Sequence, residues 1–137
     1  WSFGATEDSL APAIFFFFSV FASTGDAIGG EGIDANLVDL SSGNSDERSG
    51  ILAKIASRSE GISPFIGIQS EIVADSYGFS SEGRGITTGG DDEGIIKYSL
   101  GNSNGTAPNA SSLEALIGIG SDASGKATNL GHRYNMP

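Results

Sequence analysis

The chain has 137 residues, enough for one hydrophobic core and too few for two. Its 17 acidic residues outweigh 7 basic ones, and a net charge of −10 repels polyanions, which argues against nucleic acid as a partner. With no cysteine, disulfide staples and thiolate metal sites are excluded.

Apolar residues make up 38% of the chain and are concentrated in Ile and Phe, while Gly and Ser together approach a third. β-branched and aromatic side chains suit a pleated surface, and Gly serves the turns between short strands. The expected fold is therefore mainly β: a single sandwich-like or jelly-roll-like domain with one short helix near residues 45–58 and an apolar N-terminal segment. Residues 1–24 are expected to form that segment and 25–137 a Gly/Ser-rich β-type domain. The chain starts at Trp1, from which we expect a processed chain or one cut from a precursor.

The segment Leu10–Ala22, LAPAIFFFFSVFA, falls short of the roughly 20 residues that a membrane-spanning helix needs, so no transmembrane span is expected. It has the length of a signal-peptide apolar region, but Glu7 and Asp8 stand where such a peptide is basic. As a strand, it would place Ile14, Phe16, Phe18 and Val20 on one face and Phe15, Phe17 and Phe21 on the other. We expect residues 13–22 to be largely buried, much of the cover coming from another chain or from a further part of a longer one. Burying each Phe is worth about 1.5–3 kcal/mol, so rings left exposed would drive association.

Gly25–Gly32 reads as a hinge or turn and Ile33–Leu40 as a short strand. The helix is expected from Asn44 as a cap, Asp46 and Glu47 at the N-terminus, an apolar face of Ile51, Leu52, Ile55 and Ala56, and Gly61 as the stop, with Ile51 and Ile55 facing inward. After Pro64 the period becomes two, with Ile66, Ile68 and Ile72 opposite Gln69 and Glu71. A further strand is expected at Ile95–Leu100. Long exposed loops are expected at Ser80–Glu93 and Gly101–Ser112, a return to the core at Leu113–Ile119, and a polar tail from Gly120.

Gly120–Lys126 has the spacing of a phosphate-binding loop, yet Ala127 stands where a magnesium-binding hydroxyl is needed, Asp122 opposes phosphate, and the chain ends too soon for the rest of such a fold. The stretch 115–131, ALIGIGSDASGKATNLG, resembles one copy of the short head repeats of trimeric bacterial adhesins and phage fibres. Repeat architectures need several stacked units.

Asp91, Asp92 and Glu93 are calcium candidates, with Asp26, Glu31 and Asp34 a second set; neither follows an EF-hand pattern, and solvated acidic turns are the plain alternative. No other cofactor is expected. The single histidine, His132, has no Cys to pair with, and no G-x-S-x-G turn is present, so we assign no catalytic residue. Two N-x-[ST] sequons, at Asn104 and Asn109, fall in one expected loop and point to glycosylation.

These features together lead us to expect an extracellular or cell-surface structural subunit, a homo-oligomer of a filament, pilus (fimbrium) or adhesive fibre. Its partners are copies of itself, held through Ile14, Phe15, Phe16, Phe17, Phe18, Val20 and Phe21. A secreted carbohydrate-binding or hydrolytic β-domain, or part of a longer enzyme, is the alternative, and a viral or phage capsid or fibre protein a third.

Overall fold

The computed structural model describes residues 2–6, 11–89, 94–106, 108–126 and 128–136. In chain order the strands are β1 (Phe3–Thr6), β2 (Ile14–Phe21), β3 (Thr24–Ala27), β4 (Ile33–Asp39), β5 (Ser42–Ser45), β6 (Ser49–Ser57), β7 (Glu60–Ser63), β8 (Ile66–Ala74), β9 (Tyr77–Ser80), β10 (Arg84–Thr87), β11 (Ile95–Lys97), β12 (Leu100–Ser103), β13 (Ser111–Ile119), β14 (Asp122–Gly125) and β15 (Asn129–Tyr134). Strand accounts for 66% of the structure, and there is no helix among the described residues.

The architecture is solenoid-like. Every strand pairing is parallel, and short and long strands alternate along the chain, so that each coil contributes one of each. The short strands form a seven-stranded sheet in the order β1-β3-β5-β7-β9-β12-β14. The long ones form an eight-stranded sheet, in which β10 and β11 pair with successive halves of β8 and β13 as one interrupted rung. This replaces the expected sandwich or jelly roll, whose sheets are antiparallel.

The core lies between the two sheets. Ile33, Ile51, Ile68, Ile86 and Leu113 stack through successive rungs at 0% exposure, and Val20, Val38, Ala56, Val73 and Ile96 form a second buried column. Stacking like side chains at one rung spacing, about 4.8 Å, lets every Ile fill the space left by its neighbour.

At one corner a serine ladder crosses the coils. The amides of Ser23, Ser41, Ser59, Ser76 and Ser99 donate to the hydroxyl of the serine one coil on, at 3.1–3.2 Å. Each of those hydroxyls donates to a carbonyl two residues back, from Ser41 to Asp39 and from Ser121 to Ile119. Buried hydroxyls are tolerated because each is bonded. The residue before each serine is left-handed: Ala22, Leu40, Arg58, Asp75 and Tyr98 have φ of 47–49° and Gly120 has 54°.

The expected helix at 45–58 is instead the end of β5, a turn and β6. Ile51, Ala53 and Ala56 sit in register with Ile33, Ala35 and Val38, an inward spacing of two and then three residues that imitates a helical face. Ile51 is buried as expected, but Ile55 is 40% exposed. The same break turns Ile72 outward on β8, away from buried Ile68. Other corrections follow from coiling: the expected turn at 25–32 contains most of β3, the expected loops at 80–93 and 101–112 contain β10 and most of β12, and the polar tail contains β14 and β15.

Candidate assembly surface

Strand β2 ends the eight-stranded sheet, paired with β4 on one side. Ile14, Phe16 and Val20 are partners of the inward residues Ile33, Ala35 and Val38. The register shifts between Phe16 and Ser19, so that Phe17 and Phe18 together face the single residue Asn36. This bulge breaks the simple alternation expected for the strand. The Asn36 side-chain amide donates to the Phe17 carbonyl and holds the bulge in place.

Among the described residues the Phe run is uncovered. Only Val20 is buried; Phe15, Phe16, Phe17, Phe18 and Phe21 are 55–75% exposed, so the expected burial of residues 13–22 is not supplied by the described residues of this chain. The rings group together, Phe15 against Phe17 edge to face at 6.3 Å between centroids and Phe17 against Phe18 at 6.5 Å. Phe15, Phe16 and Phe17 border a cleft of about 300 Å³ together with Asp34, Asn36 and Leu52. Burial, and next the charge of Glu31, push the Asp34 carboxyl above its ordinary range.

The apolar surface continues along the outside of the same sheet. Leu37, Ile55, Ile72, Ile95 and Ile117 are cross-strand partners in one row that ends at His132. Leu37, Ile55 and Ile72 are 38–43% exposed, where a monomer's sheet would ordinarily show polar side chains. The row escapes a sequence reading because its members come from five different coils.

The remaining sites are dispersed. Asn104 and Asn109 are both exposed, on the connection between β12 and β13. Asp91, Asp92 and Glu93 lie outside the described residues. Of the second calcium set, Glu31 pairs with Arg48 at 3.4 Å, and no cluster of three metal-binding side chains occurs among the described residues. His132 is exposed on β15, and the stretch spaced like a phosphate loop forms β14. Among the described residues no helix is long and apolar enough to cross a membrane.

Comparison with protein-family models, with curated proteins and with solved structures finds no match to this chain.

Proposed function

We propose that the chain is a structural subunit of an extracellular assembly, a surface filament or fibre, that associates with copies of itself through β2. The observation that carries this reading is the position of five exposed phenylalanines on a strand at the edge of a parallel sheet. An edge strand presents unpaired backbone groups to a further strand, and desolvating the rings adds about 1.5–3 kcal/mol for each one fully buried. A solenoid is suited to this role because each rung contacts only its neighbours, so a further rung can continue the stack. A phage or viral fibre shares this assembly logic.

Electron microscopy and light scattering of the purified 137-residue chain test the reading, with the Phe17→Ser/Phe18→Ser double variant as the control. Filaments of regular repeat that the double variant fails to form are the expected result. Closed particles favour the capsid reading, and a dispersed monomer at micromolar concentration overturns assembly altogether.

A further inference from the structure

A groove of about 660 Å³ runs along the serine-ladder corner, across the coils from Ala22 to Leu100. In its floor the ladder hydroxyls spend their one donor on carbonyls of their own coil and accept amides of the coil before. Recognition therefore falls to its walls. On the corner side Arg58, Asp75 and Tyr98 project from successive coils; on the sheet side Glu60, Tyr77 and Leu100 are cross-strand partners on successive rungs.

The corner side chains are held at a cost. Arg58, Asp75 and Tyr98 have φ near 48°, where Gly is at ease and each L-residue is strained by about 1–2 kcal/mol. Gly does occupy this position one coil further on, at Gly120, where a β carbon would lie 2.6 Å from the Tyr98 ring. The ring is thus seated on bare backbone and stays 56% exposed. Lys97 Nζ lies 5.0 Å from its centroid, an attraction of about 0.5–1 kcal/mol at an exposed site and weak enough for a ligand to displace. Arg58 is oriented by Asp39, which accepts from Nε at 3.0 Å and also from Nη2.

We infer that this groove binds a linear, neutral oligosaccharide. Two tyrosine rings on opposite walls offer flat apolar faces with polar tips, the chemistry that the apolar face and hydroxyl rim of a pyranose require. Arg58, Glu60 and Asp75 supply donors and acceptors along the path, and the rung spacing, about 4.8 Å, is close to the length of one sugar unit. Glu60 and Asp75 in the walls, on a chain of net charge −10, select against acidic glycans.

Isothermal titration of the 137-residue chain with cellohexaose, laminarihexaose, chitohexaose and hexagalacturonate tests the inference. At least one neutral hexasaccharide is expected to bind, hexagalacturonate is not, and Tyr98→Ala and Tyr77→Ala are each expected to weaken binding about tenfold or more. Tyr98→Phe, which keeps the ring, should retain affinity. Thermal melts of each variant separate lost binding from lost folding, and Tyr77→Ala serves if Tyr98→Ala does not fold. No binding of any neutral probe at millimolar concentration, binding of hexagalacturonate alone, or affinity unmoved by both alanine substitutions overturns the inference.

Discussion

A β carbon on Gly61 would overlap the carbonyl oxygen of Gly67 and stand 2.6 Å from Ile68 Cγ1. The same encounter recurs at Gly43 against Gly50 and at Gly78 against Gly85, so the two sheets touch along a line of backbone and glycine there sets the thickness of the coil. Gly61→Ala is expected to destabilise the fold by about 1–3 kcal/mol, because the obstacle is backbone and cannot rotate away. Chemical denaturation midpoints of the variant and parent chains measure this; an unchanged midpoint would show that the sheets can separate freely.

Leu40 has φ of 49° with a bulky, 46% exposed side chain. Replacing it with Gly removes about 1–2 kcal/mol of strain and adds about 0.5–1 kcal/mol of chain entropy to be lost on folding, so Leu40→Gly should leave stability unchanged or improve it slightly. Leu40→Val has the opposite sign, since β-branching crowds a left-handed backbone further. Paired thermal melts decide the matter, and a Val variant as stable as the Gly variant contradicts it.

Two aspartates give the stability opposite pH dependences. Hydrogen bonds from Arg58 hold the Asp39 carboxyl below its ordinary value of 3.8 in the folded chain. Its contribution is therefore present above 3.8 and lost as pH falls through the folded value. Asp34 is pushed above 3.8, chiefly by burial, so its ionised form carries a penalty at neutral pH that is relieved as the acid range is entered. At neutral pH Asp39→Asn should lower stability and Asp34→Asn raise it, while well below 3.8 both should approach the parent chain. Urea titrations across this range test both signs at once, and a difference that persists undiminished into acid would assign either effect to packing.

How much of this was legible beforehand depends on what each feature rests on. The β class followed from Ile, Phe and Gly content, and the Phe run of β2 is plain to see. Its exposure is a matter of the strand's place at the edge of a sheet, which composition does not carry. The coil was hidden by two physical devices. The ladder serines are 18, 18 and 17 residues apart from Ser23 to Ser76, then 23 and 22 apart to Ser121, because longer connections follow β10 and β12. The inward spacing of two and then three residues at Ile51, Ala53 and Ala56 imitated the face of a helix. Tyr77 and Tyr98 line one groove only because coiling brings them together.

Asn104 and Asn109 occupy the connection between β12 and β13, and both are exposed. Gly105 marks how tightly that connection begins: its amide bonds to the buried Ser103 hydroxyl at 3.3 Å, which ties the connection to the coil at its root. Modification also needs passage through a glycosylating compartment, which the proposed surface location implies. If the chain is a surface protein of a source that glycosylates its exports, native material should carry sugar on at least one of the two asparagines. Intact-mass measurement before and after enzymatic deglycosylation checks this, with Asn104→Gln and Asn109→Gln assigning the site. A native mass equal to that of the bare chain would remove the sequons from the argument for an extracellular location.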